Sequence, residues 1–298
     1  MTGAGSATVA YALEDEFGEG PGAEADWIQP GVDVSVTDLS VQQTLQRIRN
    51  PDDPRPLGSR EGEWEGASTV EFTLTDGNFH DLVFADGGTA LPAGVTRPPS
   101  ATWYFAVELP DGTTEERSAV GSVVVDASVD YQQGEDVSVT LTMLHADEPE
   151  DVADPSTIEQ PSVDDVFTYH GSDLVVDSTA QALMQSASLS LSNLARMRRG
   201  QNRKPVDAVV GSIEPSLSTD AVFTEADQQT LAYGSTSGGI DIVGSVDATL
   251  SFENGQGETI EYDLSGVQPT SYSWADLVSP DTDLSEPIDY HVADVEVV

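Results

Sequence analysis

The sequence predicts an all-β protein with minor α content, arranged as two tandem, duplicated β-sandwich domains. Three observations lead there: apolar residues that alternate with period two, a segment that recurs about halfway along, and an Asp-Gly or Asn-Gly pair in each half. Alternation puts apolar side chains on one face of a strand. A sheet with one apolar face must cover it with a second layer.

Taken in order, residues 1–30 are rich in Gly, Ala and Glu, with Trp27 near their end, and read as an N-terminal arm that orders against a neighbouring molecule. Residues 31–148 form the first β domain, with alternation at Val34/Val36, Val70/Phe72/Leu74, Tyr104/Ala106, Val123/Val125 and Val137/Val139/Leu141/Met143. In residues 149–165 acids and prolines end the periodicity, which marks a linker. The second β domain, residues 166–298, alternates at Leu174/Val176, Leu189/Leu191, Val246/Ala248/Leu250/Phe252, Ile260/Tyr262 and Tyr290/Val292. Thr224 followed by Asp227 resembles a capping box and predicts a short helix over 227–231, matched by 76–84 in the first half.

The recurring segment begins Val34, Val36, Leu39 and continues to Arg47, Arg49, Arg55 and Arg60; its second copy begins Leu189, Leu191, Leu194 and continues to Arg196, Arg198, Arg199, Arg203 and Lys204. Beyond these basic loops, Glu63, Phe72, Thr73 and Asp76 recur as Glu214, Phe223, Thr224 and Asp227. The offset drops from 155 to 151, so the first basic loop is four residues longer. Asp111-Gly112 and Asn254-Gly255 then predict equivalent type I′ hairpins, which need positive φ at both central residues.

Formal charge is −42, with 53 acidic and 11 basic residues, and nine of the 11 lie in the two basic loops. Molar salt shortens the screening length to about 3 Å and relieves the repulsion of so acidic a surface, which points to a halophile's cytoplasm. An apolar fraction of 38% argues against general disorder. There is no cysteine, which excludes disulfides and thiolate chemistry. The N-terminus lacks a signal-peptide pattern and no apolar run spans a bilayer, so a soluble protein without membrane insertion is expected. Only ion pairs in direct contact survive molar salt, and arginine's planar fork suits them. The basic loops and Trp27 are therefore the candidate subunit-interface residues.

Little points to catalysis. His80, His145, His170 and His291 are scattered without metal-ligand spacing and read as surface or turn residues. Gly234-Ser-Thr-Ser-Gly-Gly lacks the context of a nucleophile elbow. Asp281, Asp283 and Glu286 offer oxygen ligands but no glycine for a tight calcium turn. No cofactor and no catalytic residue is expected, and the net charge disfavours tight nucleic-acid binding through the arginines.

Strand, long basic loop, glycine-containing strand, short helix and hairpin together resemble the major tail tube proteins of long-tailed viruses. The residues that carry the likeness run from Leu189 through Arg196-Met-Arg-Arg-Gly and Val210-Gly-Ser-Ile-Glu to Asp227, with a weaker counterpart from Val34 to Asp76. With the acidic composition, the resemblance extends to viruses of haloarchaea. It implies sandwich domains whose inner sheets join those of neighbours in a ring-shaped β-barrel. Two domains per chain would make a three-chain ring with pseudo-six-fold symmetry, stacked into a hollow tube in the virion tail and assembled in the host cytoplasm at high salt. The implied partners are further copies of the chain and the tape measure, terminator and distal tail proteins, with viral DNA present only in transit. A terminal decoration domain is missing from the pattern. A tail-end adaptor, a capsid decoration protein and, less well supported, a halophilic enzyme are the alternatives.

Overall fold

The computed structural model describes residues 7–22, 25–49, 51–52, 55–94, 97–150, 155–181, 183–224, 226–237, 240–278 and 283–298. The first half holds β1 (Ala7–Leu13), β2 (Trp27–Ile28), β3 (Val32–Arg49), β4 (Pro56–Thr73), helix α1 (His80–Val83), β5 (Ala101–Glu108), β6 (Thr114–Gln132) and β7 (Ser138–His145). After β8 (Ile158–Glu159) come β9 (Ser172–Val176), β10 (Thr179–Ala180), β11 (Met184–Ser192), β12 (Ala195–Arg199), β13 (Pro205–Val210), β14 (Glu214–Ala221) and helix α2 (Asp227–Tyr233). The chain ends with β15 (Ser235–Ser237), β16 (Ile240–Ile242), β17 (Val246–Glu253), β18 (Thr259–Tyr272), β19 (Ile288–His291) and β20 (Asp294–Val297). The all-β expectation with little helix agrees with this architecture.

In the first half β3 pairs with β4, β4 with β7, β7 with the second part of β6, the first part of β6 with β5, β5 with β1 and β1 with β2. In the second half β11 pairs with β14, β14 with β19, β19 with the end of β18, the start of β18 with β17, β17 with β9 and β9 with β10. All these pairs are antiparallel. Leu39, Ser68, Met143 and Val124 stand side by side across one set of strands, with a slip in the ladder after Val124. Leu189, Leu217, Tyr290 and Pro269 stand side by side across the other, with a slip after Pro269.

Both β6 and β18 pass from one sheet into another, and each turns at a glycine with positive φ: Gly121 at 65° and Gly266 at 64°. A Cβ at Gly121 would meet the Ala146 Cβ at 2.9 Å, and one at Gly266 would meet the Ala293 Cβ at 2.7 Å. Glycine is the residue that accepts this conformation and this approach together.

The two halves are stitched by β6 and β11, whose pairs run from Ala127↔Leu191 to Gln132↔Ser186. A continuous inner sheet results, in the order β3-β4-β7-β6-β11-β14-β19-β18. Its apolar face carries Phe72, Leu141, Met143, Leu189, Leu217 and Tyr290, all buried in one cluster with Tyr11, Trp103, Leu174, Phe252 and Tyr262. One core therefore draws on both halves.

Several expectations need correction. Within the segment expected as an arm, Ala7–Leu13 is a sheet strand, and Trp27 is buried in its own chain against Ala10, Ala12, Tyr104 and Ala106. Within the linker, Ile158–Glu159 pairs in parallel with Trp27–Ile28. The hairpin turns are not type I′: Gly112 at φ 81° and Gly257 at φ 83° are their left-handed residues, each donating back to the residue three before it, Leu109 or Asn254. This is a tight turn followed by a left-handed glycine, the usual three-residue hairpin. The predicted helix forms as α2, but its N-terminus has no side-chain cap. His80 and His145 are buried rather than superficial.

Candidate assembly and sheet surfaces

Alternation that puts Leu and Val into the core sends Ser, Thr and Asp to the opposite face of the inner sheet. One row across it reads Glu71, Thr140, Ser128, Ser190, Ser216, His291 and Gln268. The neighbouring row reads Thr73, Ser138, Asp130, Ser188, Ser218, Asp289 and Ser271. Hydroxyls donate to the carboxylates here: Ser188 to Asp130 at 2.5 Å, Ser128 to Asp130 at 2.7 Å, and Ser218 and Ser271 to Asp289 at 2.7 Å each. The bonds from Ser271 and then Ser218 hold the Asp289 carboxyl below its ordinary range. No lysine or arginine stands in either row. The face is negative, hydroxyl-rich and without a docking point for a phosphate.

The two basic loops differ in what they touch. In the second, Arg199 donates to the Trp64 carbonyl at 2.6 Å and to Glu65 at 3.1 Å, and Arg203 donates to Glu61 at 2.6 Å. Lys204 pairs with Asp147 and lies over the Trp64 ring, 5.9 Å from its centroid. Arg198 approaches Asp207 at 3.6 Å, and Arg97 meets the same carboxylate at 3.1 Å. Arg196 is exposed on β12. This loop thus binds the first half of its own chain, where contact with another subunit was expected.

The first basic loop is the tip of the long β3/β4 hairpin. Arg47 and Arg49 are exposed at the end of β3, Arg60 is exposed on β4, and Arg55 lies in the turn between them. Leu45 and Leu57 beside them are 58% and 72% exposed. Arg49 has no ion-pair partner among the described residues.

The cations are legible in the sequence and the acceptors are not, because pairing across 57 residues for Asp147 and more than 130 for Trp64, Glu61 and Glu65 leaves no local signal. Of the three acids considered as cation ligands, Asp281 lies outside the described residues. Glu286 is buried and accepts from the Tyr272 hydroxyl at 3.2 Å, and burial pushes its carboxyl up.

Both margins of the inner sheet are open. Among the described residues β3 pairs only with β4, and the end of β18 only with β19. Close to these margins lie exposed apolar side chains, Val36 and Leu45 at one and Trp274, Leu277 and Val278 at the other. Unpaired edges of this kind template pairing with another chain.

A family model described as phage tail tube protein matches residues 5–291. The chain belongs to that family. It is a structural component of the viral tail, and no curated protein matches it. No helix among the described residues of this tail tube protein is long and apolar enough to cross a membrane. Beside its Lys204–Asp147 contact, the buried His145 ring lies 2.8 Å from Glu148, which Arg117 also grips with bonds of 2.7 and 2.9 Å. Burial raises the Glu148 carboxyl, but the bonds from His145 and Arg117 outweigh it and hold the group below its ordinary value. In this tail tube protein Arg117 also donates to the Leu39 carbonyl of β3 at 2.9 Å, so the Glu148 cluster ties the first hairpin to β6 beside the place where the second basic loop lands.

Proposed function

We propose that this chain is the repeating subunit of the tail tube, with three copies closing into a pseudo-six-fold ring and rings stacking into a conduit for viral DNA. The reading rests on the β6·β11 junction. A sheet with two open margins and an internal seam already carries the pattern by which another copy can join it. Closure removes both edges, which otherwise favour uncontrolled pairing, and closed cyclic symmetry is the common outcome for identical subunits.

Duplication is supported by the matching strand orders, the matching ladder slips and the paired glycine bends at Gly121 and Gly266. On this reading the first unit spans roughly residues 7–148 and the second 166–298. Three chains supplying eight strands each, spaced at about 4.8 Å, give a barrel at least about 37 Å across at the backbone. The Ser, Thr and Asp face lines the lumen, where carboxylates repel phosphates and let DNA pass without sticking. The role is structural, not catalytic. Its partners are further copies and the tape measure, terminator and distal tail proteins, and the acidic surface suits a virus of a haloarchaeal host assembling in molar salt.

Negative-stain microscopy of the purified protein in molar salt tests the reading. Rings or tubes with six-fold features in projection are expected. A monodisperse monomer at all salt and protein concentrations would overturn it.

A further inference from the structure

We infer that the open margin at the end of β18 takes β3 of a second copy in the register of β6 on β11, and that Arg49 and Arg55 of that copy latch onto Glu214 and Asp294. The inference rests on the ring reading above and goes beyond it by fixing register and partners.

The correspondences come from strand partners. Ala127 lies opposite Leu141 two residues after the slip in one ladder, and Tyr272 opposite Ile288 two residues after the slip in the other, so Ser273 stands where Ser128 does. Ser190 faces Ser216 and Ser40 faces Ala67, at matching distances from the landmark leucines 189 and 39. Ser128 pairs with Ser190 within the chain. Ser273 therefore pairs with Ser40 between chains, and the exposed Trp274 comes beside Leu39, which is partly buried against the core and whose carbonyl also accepts from Arg117 at 2.9 Å.

The same logic places the charges. Arg49 lies opposite Pro56 immediately after a ladder slip, as Arg199 lies opposite Pro205 immediately after one. Arg55 precedes Pro56 as Lys204 precedes Pro205. On the receiving side, Glu65 is opposite Gln42 and Glu214 opposite Ser192 at the corresponding rung. Asp147 bridges to Val120 and Asp294 pairs with Ser265, each partner preceding its bend glycine. Within the chain Arg199 binds Glu65 and Lys204 binds Asp147. Between chains, then, Arg49 binds Glu214 and Arg55 binds Asp294. A guanidinium stands where Lys204 does, and Glu214 and Asp294 are both exposed to receive the pair. The Arg203–Glu61 contact has no such counterpart, because Val210 occupies the rung of Glu61.

The absence of cysteine makes the test clean. In the full chain at molar salt, Ser40→Cys with Ser273→Cys should oxidise to covalent multimers, while Ser128→Cys with Ser190→Cys, the internal control, should close within the monomer. Moving the first cysteine to Val36, about 13 Å along the strand, should abolish the multimers. Arg49→Glu should lower the assembled fraction about tenfold or more, and adding Glu214→Arg should restore it. Rings seen by microscopy with no Ser40–Ser273 cross-link, while the internal control oxidises, would overturn this register and leave the ring intact. Absence of both rings and cross-link would overturn both readings. Failure of the swapped charges to rescue rings that still cross-link would remove the Arg49–Glu214 pair.

Discussion

The imidazole Nε2 of His80 on α1 lies 2.8 Å from the hydroxyl of Tyr262 on β18, tying a helix of the first half to a strand of the second. In the second half the Tyr290 hydroxyl donates to the Gln228 side chain of α2, also at 2.8 Å, so a helix-to-strand bond recurs with an amide in place of the ring.

Acid sensitivity follows from His80. Burial pushes its pKa from 6.5 down to about 4. Between those values the unfolded chain takes up a proton that the folded chain refuses, so stability rises with pH through this window and is lost as acid is added. The slope from this group is about 1.4 kcal/mol per pH unit at most. Urea titrations in molar salt should show His80→Gln losing less stability than the parent between pH 6.5 and 4.5. An unchanged slope would assign the acid loss elsewhere.

The two bends predict a matched pair of lesions. Gly121→Ala and Gly266→Ala each place a Cβ at positive φ and against an alanine Cβ, so each should cost about 1–3 kcal/mol. Gly255→Ala, with open space around its Cβ, should cost far less. Thermal melts of the three variants decide it.

Arg199 and Arg196 should separate sharply. Arg199 satisfies a buried-side carbonyl and a carboxylate, and Arg199→Ala should destabilise the subunit by about 1–3 kcal/mol, little relieved by salt. Lysine should not replace it, since one point charge cannot serve both acceptors. Arg196→Ala should be silent in the same denaturation assay.

For the polar sheet face, Ser190→Arg should leave the fold unchanged and allow assembly while slowing DNA release, more so at lower salt, as expected for phosphate binding. Ejection kinetics from virions carrying the variant measure this. Release at the parental rate would mean that the face does not meet DNA.

How much could be read from sequence follows burial. Val139, Leu141 and Met143 alternate cleanly because one face of β7 is packed, and nearly every strand of that kind was legible. β3 is exposed along most of its length, so its weak pattern set Val34 beside Leu189, whereas strand partners set Leu39 there. The turn glycine was read at position 255 instead of 257 because Asn254, whose side chain accepts from the Gln256 and Glu258 amides, looks locally like a two-residue turn. His145 was unreadable as a core residue, since its place depends on Trp64 and Glu148 and on the missing side chain of Gly66.

The seam between β6 and β11 also bears on kinetics. Because it closes within one polypeptide, half of the joints in the proposed three-chain ring would form by folding, at an effective concentration set by the tether and independent of how dilute the subunits are. Fewer molecules need to collide before the first ring exists. A virus expressing this chain early and at low abundance would still start tubes promptly, whereas severing the tether between the halves would make initiation far more sensitive to dosage.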